Sequence, residues 1–146
     1  MWQCLQKRSS IRQISTMAKL TQPELLCIFN TLKAEMKPFE AGNMIAVFDM
    51  EGKYDLWTNK PVVVAGRPRE RINFAGIIVQ SNYVGFYYMP VYCNPDKVAP
   101  QLSPEFMKLL KGKACFHIKK TDEQVIADVR KAMRIGFDQY KKNGWL

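Results

Sequence analysis

Two apolar segments separated by a short polar break lie in the middle of this chain, and they constrain its fold most strongly. Residues 72–79 and 83–89 are rich in β-branched and aromatic side chains, and the residues between them are polar. This pattern is typical of a β-hairpin. With Ser81 and Asn82 as the loop, directly opposed residues share one face of the sheet. The predicted pairs are Val79 with Val84, Ile77 with Phe86, and Ala75 with Tyr88.

The opposite face of the predicted hairpin is also apolar and aromatic, whereas a solvated sheet face is usually polar. Gly76 and Gly85 interrupt this face. A contiguous exposed apolar patch usually marks a binding or self-association surface. We therefore expect the face to bind a ligand, a protein partner or a second copy of the chain. The candidate residues, two of them from a later strand, are Phe74, Tyr83, Tyr87, Met89, Cys115 and His117.

Amphipathic helices are predicted before and after the hairpin. Thr21 opens a capping-box pattern, and apolar residues at helical spacing follow it until Pro38 ends the pattern. The clearest apolar stripe runs over residues 125–140. Thr121 and Gln124 stand just before this stripe and predict a second capping box. Both helices should bury one face against the sheet.

The fold class predicted from this order of elements is α+β. Strands joined by hairpins form antiparallel sheets, and amphipathic helices cover the face that must be buried. We therefore expect an antiparallel sheet of about five strands with helices packed on one face, which leaves the other face open. The remaining predicted elements are a strand at 44–48, its partner at 54–58, an edge strand or extended link at 60–64, a loop at 66–69, a loop at 94–100, a helix from Pro104 to Gly112, and a strand at 115–119 with Phe116 and Ile118 inward.

The chain is basic, with 22 Lys and Arg against 13 Asp and Glu and a net charge of +9 over 146 residues. Its length fits one domain, which we expect to span residues 21–146. The charge favours encounters with anionic partners, so nucleic-acid or anion binding is the alternative function. No apolar run approaches the ~20 residues of a membrane span, so no membrane partner is expected. The candidate basic patch consists of Arg67, Arg69, Arg71 and Lys119.

The first residues of the chain have a composition of their own. Residues 1–16 contain basic and serine residues but no acid, as organellar transit peptides do. The alternatives are that Met17 is the working start, or that the segment is a basic tail with no targeting role. We expect residues 1–20 to form a disordered basic leader. The four cysteines show no paired spacing, which favours reduced thiols and a cytoplasmic location.

Few residues in the sequence carry recognisable chemistry. One histidine and no close cysteine pair do not make a zinc site, so neither a metal nor a cofactor is predicted. Cys115 and His117 lie two apart on one strand, and a thiol-dependent enzyme is the weakest hypothesis because no third orienting group is identifiable. Iron would need clustered carboxylates, which the excess of basic residues opposes. The candidate carboxylates are Glu35, Glu40, Asp49, Glu51 and Asp55.

The run from Ile72 to Met133 resembles the YdhG-like domain family, over a little under half of the chain. The matching features are the hairpin segment from Tyr83 to Tyr87, the Lys111–Gly112–Lys113 turn, the strand with Phe116, and the closing helix. The resemblance implies an antiparallel sheet with helices on one side, as in secretion-chaperone-like folds. It also implies a non-enzymatic binding or chaperone-like module without shared catalytic residues. A frataxin-like iron chaperone is a weaker implication.

Overall fold

The folded part of the chain includes the end of the predicted leader. A computed structural model describes residues 19–146, and residues 1–18, with the alternative start at Met17, lie outside the described part. Leu20 packs against the core, and its amide donates to the Asn82 side chain over 2.9 Å. The contacts of the domain therefore begin before residue 21.

The first helix, α1 (Gln22–Met36), begins and ends where the sequence predicts. The Thr21 hydroxyl accepts from the Glu24 amide, and the Glu24 carboxylate accepts from the Thr21 amide, which confirms the capping box. The helix ends in a single 3-10 turn, Lys37–Phe39, which contains Pro38. Because proline lacks an amide proton and clashes with the preceding turn, the α-helix does not continue.

The last helix, called α5 here because three short helices precede it, spans Glu123–Lys142. The predicted Thr121–Gln124 capping box is wrong, because Asp122 is the N-cap and its carboxylate accepts from the Val125 amide. A carboxylate also interacts favourably with the positive end of the helix dipole. The predicted stripe is confirmed at Val125, Val129, Ala132, Met133, Gly136 and Tyr140, which are buried, while Ile126 and Phe137 are half-buried.

The strands form one main sheet and one small two-stranded ribbon. In chain order they are β1 (Met44–Met50), β2 (Lys53–Thr58), β3 (Val62–Val64), β4 (Arg67–Arg69), β5 (Ile72–Val79), β6 (Val84–Tyr88), β7 (Leu110–Lys111) and β8 (Cys115–Ile118). The main sheet is antiparallel with the order β1-β2-β5-β6-β8-β7. It has six strands because β7 adds a two-residue edge. The α+β prediction is confirmed.

The central hairpin has the predicted register. The three predicted pairs are all present, namely Val79 with Val84, Ile77 with Phe86, and Ala75 with Tyr88. The Gln80 amide donates to the Tyr83 carbonyl over 2.9 Å, which closes the loop at Ser81 and Asn82. Val79 is half-buried, and the other five residues of these pairs are buried. Local turn chemistry and the apolar pattern were therefore sufficient to set this register.

A bulge in β5 changes the direction of one predicted site residue. Leu56 pairs with Ala75 and Trp57 pairs with Asn73, so Phe74 is an extra residue without a partner across β2. An extra residue bends the strand and redirects its side chain. Phe74 is fully buried on the helix side, where its ring packs against helix α5 at Phe137 and Tyr140. The prediction that Phe74 lies on the open face is wrong.

Helices α1 and α5 pack on the same side of the sheet. Helix α1 contacts β5 and β6, and helix α5 contacts β5. The strand residues beneath them, which include Tyr54, Ile77 and Phe86, are fully buried, whereas the alternate residues on the opposite side are half-buried or exposed apart from two glycines. In the part of the chain that the structure describes, no helix has the length and apolarity needed to cross a membrane.

Short helices replace several predicted loops and strands between β6 and β8. Met89, predicted on the hairpin, begins helix α2 (Met89–Cys93). Helix α3 (Pro95–Val98) and a 3-10 turn occupy the predicted loop, and helix α4 (Pro104–Met107) is only one turn long. Each helix has a proline in its first turn, where the missing amide costs nothing. The helix start predicted at Pro104 is confirmed, whereas Pro95, which was read as a loop breaker, also begins a helix.

The small ribbon β3–β4 replaces another predicted loop. Val62 pairs with Arg69 and Val64 with Arg67, so the segment predicted as an edge strand or link at 60–64 contains a strand, and the predicted loop at 66–69 is its partner strand. Ala65 and Gly66 both have positive φ, as the central residues of a type I′ turn do. Arg67 and Arg69 of the predicted basic patch therefore lie on this ribbon.

Candidate binding surface on the open face of the sheet

The side of the main sheet that faces away from α1 and α5 is called the open face here. Its residues lie in three rows that run across the strands. Rows are about 6.7 Å apart and neighbouring strands about 4.8 Å apart. Cross-strand partners place one row at Met50, Lys53, Ile78, Gly85 and His117, a second at Phe48, Asp55, Gly76, Tyr87, Cys115 and Lys111, and a third at Ile45, Trp57 and Asn73.

The first row ends in a stack of two rings. The His117 imidazole and the Tyr83 ring have centroids 3.7 Å apart and planes inclined by 10°. Tyr83 reaches this position from the hairpin loop, while His117 lies on β8 opposite Gly85. Both rings are half-buried. The sequence therefore placed both residues on the correct side, although only the structure brings them into contact.

Tyr87 lies over a glycine in the neighbouring row. A Cβ atom at Gly85 would lie 2.8 Å from Cε2 of Tyr87 and 3.4 Å from Sγ of Cys115. A missing side chain in one strand is often compensated by an aromatic ring from the next. The Tyr87 hydroxyl also accepts from Nε2 of Gln80 over 3.2 Å. These contacts hold the phenol ring across the sheet.

Both oxygens of the Asp55 carboxylate accept hydrogen bonds from neighbouring side chains on the open face. One oxygen accepts from Nε1 of Trp57 over 2.9 Å, and the other accepts from Nδ2 of Asn73 over 2.8 Å. The carboxylate lies over Gly76, where a Cβ atom would clash with it. This network fixes the edge of the Trp57 indole. Asp55 is the only carboxylate in the three rows.

Cations accompany the aromatic rings of the open face. Lys53 Nζ lies 3.7 Å from the centroid of the Phe48 ring, and the Arg71 guanidinium lies 5.5 Å from that of Trp57. Lys111 and Lys119 are close enough to His117 to act on its charge. The Lys53–Phe48 and Arg71–Trp57 distances are both within the range of cation–π attraction. Positively charged groups therefore accompany the aromatic rings at both ends of this surface.

The pKa shifts on the open face oppose thiol chemistry. Burial, followed by the charges of Lys111 and Lys119, lowers the pKa of His117 below 6.5. Burial raises the pKa of the Cys115 thiol, and a hydrogen bond with Tyr87 only partly offsets it. A reactive cysteine needs a lowered thiol pKa beside a cationic base. The Cys115–His117 pair has the reverse of both conditions.

The predicted site residues divide into three groups. Tyr83, Tyr87, Cys115 and His117 lie together on the open face. Phe74 is buried on the opposite side, and Met89, now the first residue of α2, is half-buried beyond the end of β6. The residues that the sequence reasoning missed are Phe48, Trp57 and Asn73. Alternation along 53–58 was the available signal, because inward Tyr54 and Leu56 direct Trp57 outward.

The predicted basic patch is not one cluster. Arg71 precedes β5 and lies by Trp57, at the end of the sheet opposite to Lys119, which follows β8. Arg67 and Arg69 belong to the ribbon β3–β4. Their separation follows from the ribbon, which carries the chain away from the main sheet between β2 and β5. Only Arg71 and Lys119 lie beside the open face.

A cleft lies between the β3–β4 ribbon and the end of the chain. This cleft has a volume of about 460 Å³ and includes Arg69 and Trp145 among its lining residues. Lys60 Nζ donates to the Leu146 carbonyl over 3.1 Å. Apolar residues form most of the remaining wall, namely Pro61, Val62, Val63 and Pro68. Arg69 is the only charged residue in this lining.

The carboxylates named as iron ligands are largely paired with cations of the chain itself. Asp49 bonds to Lys33 and Lys37, Glu40 accepts from Lys37, and Glu35 pairs with Arg130. Within residues 19–146, no three His, Cys, Asp or Glu side chains are grouped so that they could hold a metal ion. The first helix and hairpin therefore carry salt bridges where an acidic ridge would be needed.

The cysteines differ in their redox state. Cys93 and Cys115 are free thiols. Cys27 is engaged in a disulfide bond, so the predicted reduced state is wrong for this residue. Disulfide pairing depends on proximity in space, which wide spacing along the sequence does not reveal.

Comparisons with protein-family models, curated proteins and solved structures found no match for this chain. The resemblance to the YdhG-like family stays a prediction, and function is argued from the geometry of the open face.

Proposed function

We propose that this protein is a non-enzymatic binding module, similar in kind to the YdhG-like domains, whose open face binds an anionic partner. One observation carries the proposal: the face combines half-buried aromatic rings with cations, while its single carboxylate, Asp55, is already bonded through both oxygens. Four cations, Lys53, Arg71, Lys111 and Lys119, stand on or beside the face against this one carboxylate, so an anionic partner would meet a net positive charge. Charge complementarity of this kind steers association and excludes wrong partners.

Apolar exposure supports a binding role for the same face. Phe48 is 37% exposed and Met50 is 54% exposed, and they are two of the four large apolar side chains exposed among residues 19–146. Both stand on β1, at the edge of the sheet beside Lys53. Exposed apolar groups that adjoin cations favour a partner that offers apolar or aromatic groups together with negative charge.

A second copy of the chain is a less suitable partner for this face. Each copy has a net charge of +9, and the open face concentrates cations such as Lys53 and Lys111. Juxtaposed like charges cost several kcal/mol at an interface. A thiol enzyme is also less suitable, because the pKa of Cys115 is raised while that of His117 is lowered.

The test compares two charge-matched double variants of the full chain. Fluorescence anisotropy measures binding of a labelled oligothymidylate of about twelve nucleotides and of a labelled oligoglutamate of similar charge. With roughly three phosphates neutralised, wild-type affinity for the oligothymidylate should fall about 20-fold between about 50 and 200 mM salt. Lys53→Gln/Lys111→Gln should weaken binding and lower the salt slope by roughly 0.7 per lysine.

The control is Lys131→Gln/Lys142→Gln, which removes the same charge from exposed positions on helix α5. This helix packs on the opposite side of the sheet, so its variant should bind as the wild type does. Equal weakening by the two double variants would show a diffuse charge effect and overturn the proposal. Absence of binding to both probes would overturn it as well.

A further inference from the structure

We propose that the anionic partner is a single-stranded nucleic acid, with bases stacked on the aromatic side chains of the open face and phosphates held by the cations beside them. This inference rests on the proposed function and narrows it to one class of macromolecule. Proteins that hold single strands combine a positively charged surface with aromatic rings on which successive bases stack. Both components are present here on a single sheet face.

The aromatic rings are distributed over the width of the sheet. Phe48 stands on β1, Trp57 on β2, Tyr87 on β6, and the Tyr83–His117 stack at β8. From β1 to β8 there are four strand spacings, or roughly 19 Å. A surface of this length holds a few consecutive nucleotides of an extended strand. A compact ligand would contact only one of the rings.

Each end of this array has cations next to a ring. Lys53 lies 3.7 Å from the Phe48 ring, and Arg71 lies 5.5 Å from the Trp57 ring. At the β8 end, Lys111 and Lys119 act on His117. A base stacked on one of these rings would bring its own phosphate close to the neighbouring cation. The cations at both ends of the array are therefore placed to hold the phosphates that flank the stacked bases.

Two side chains of the open face lie close to the backbone of the sheet because each passes over a glycine. Tyr87 lies over Gly85, and the Asp55 carboxylate lies over Gly76. The Tyr87 ring is thereby held across the sheet and half-exposed, where a base can stack on it. Asp55 in turn holds the Trp57 indole through Nε1. Bases within a duplex are already stacked on one another, so this surface suits unpaired bases.

An acidic protein segment is the competing partner, and it would use the cations without the rings. The experiment therefore measures the contribution of the phosphates to the affinity separately from that of the bases. Anisotropy with the full chain compares a labelled oligothymidylate, an abasic oligomer of the same length and charge, and an oligoglutamate. We expect the oligothymidylate to bind at least about tenfold more tightly than the abasic oligomer, because each stacked base contributes about fivefold or more.

Ring variants locate the effect on the open face. Phe48→Ala and Tyr83→Ala should each weaken oligothymidylate binding about fivefold or more and leave abasic binding unchanged. The control is Tyr92→Ala on helix α2, outside the three rows. Tyr92 is also exposed and also has a lysine, Lys113, 5.7 Å from its ring centroid. Its replacement should change neither affinity.

The outcomes distinguish this inference from the proposed function. Equal affinity for the oligothymidylate and the abasic oligomer, with no effect of Phe48→Ala, would overturn base stacking and leave anion binding standing. A preference for the oligoglutamate would overturn the inference in favour of an acidic protein partner. Failure of all three probes to bind would overturn the inference and the proposed function together.

Discussion

The imidazole of His117 lies parallel to the phenol ring of Tyr83, with the two centroids 3.7 Å apart. The stack joins the loop of the central hairpin to strand β8, and it stands at one end of the open face. Two lysines, Lys111 and Lys119, act on the same imidazole. The charge state of His117 is therefore linked both to the fold and to any anion bound beside it.

The first prediction concerns the pKa of His117. It is the only histidine in the chain, so its ring protons give an unambiguous proton NMR titration. We expect a pKa below 6.5, because burial and the two lysine charges disfavour the protonated ring. Lys111→Gln/Lys119→Gln should raise this pKa, whereas Lys131→Gln on α5 should not. Bound oligothymidylate should also raise it, and a value above 6.5 in the free protein would contradict the prediction.

The lowered pKa of His117 has a consequence for stability. Between the folded-state pKa and 6.5 the unfolded chain binds more protons, so the free energy of unfolding falls as the pH falls through this window. Replacing His117 by Gln should remove this part of the pH dependence. Urea unfolding at several pH values measures it, with Asp138→Asn on the exposed side of α5 as the control.

The second prediction concerns Gly136, where a Gly→Ala change should destabilise the protein although it lies inside a helix. A Cβ atom there would lie 2.6 Å from Cγ of Pro90 and 2.9 Å from Oη of Tyr88. The Tyr88 hydroxyl is held in place because it donates to the Ala132 carbonyl. Overpacking costs about 1–3 kcal/mol, which outweighs the gain of about 1 kcal/mol in helix propensity. A higher urea midpoint for Gly136→Ala would contradict this.

The third prediction concerns the buried hydroxyl of Tyr54, which donates to the Glu40 carboxylate over 2.6 Å. This bond, assisted by Lys37, lowers the pKa of Glu40 below 4.5. Tyr54→Phe should cost about 1.5–3 kcal/mol near neutral pH, as hydrogen bonds to charged groups do. Glu40 stabilises the fold above pH 4.5, and this contribution is lost as the pH falls through its lowered folded-state pKa.

Urea unfolding of the wild type and Tyr54→Phe, near neutral pH and near pH 3, tests this prediction. The difference between the two proteins should narrow in acid because Glu40 becomes protonated. Tyr92→Phe, which removes a hydroxyl from a residue that is 50% exposed, is the control and should have little effect at either pH. A difference that does not change with pH would remove Glu40 from the explanation.

The fourth prediction concerns coupling between Gly76 and Asp55 on the open face. A Cβ atom at Gly76 would clash with the Asp55 carboxylate and lie 3.3 Å from the Tyr54 carbonyl. Gly76→Ala should therefore cost about 1–3 kcal/mol. In an Asp55→Ala background the cost should be smaller by at least about 0.5 kcal/mol, because the main obstacle is gone. Urea unfolding of the wild type, both single variants and the double variant measures this coupling, and strict additivity would contradict it.

Sequence reasoning succeeded where the signal lies within a few neighbouring residues. The capping box at Thr21 and the hairpin loop at Ser81 and Asn82 are local hydrogen-bond patterns, and both are confirmed. It failed at Thr121, where the adjacent Asp122 is the better cap. It also failed over residues 89–101, because a proline is compatible both with a loop and with the first turn of a helix, whereas the helix start at Pro104 is confirmed.

The candidate site was only half accessible from the sequence. Tyr83, Tyr87 and His117 follow from strand alternation, but Phe74 does not, because the bulge that redirects it depends on pairing with β2. Alternation along 53–58 could have predicted the outward direction of Trp57, but its neighbours on the open face come from β1 and β5 and depend on strand pairing. No pattern within β5 alone contains that information.

By itself the sequence determined the central hairpin register, the first helix, the buried stripe of the last helix and the basic charge. Each of these is encoded by nearest neighbours or by simple periodicity. Only the tertiary structure decided which rings and cations share the open face, and which side chains donate hydrogen bonds to Asp55. These depend on contacts between strands that are distant in the chain, where one extra residue reverses the side to which a side chain points.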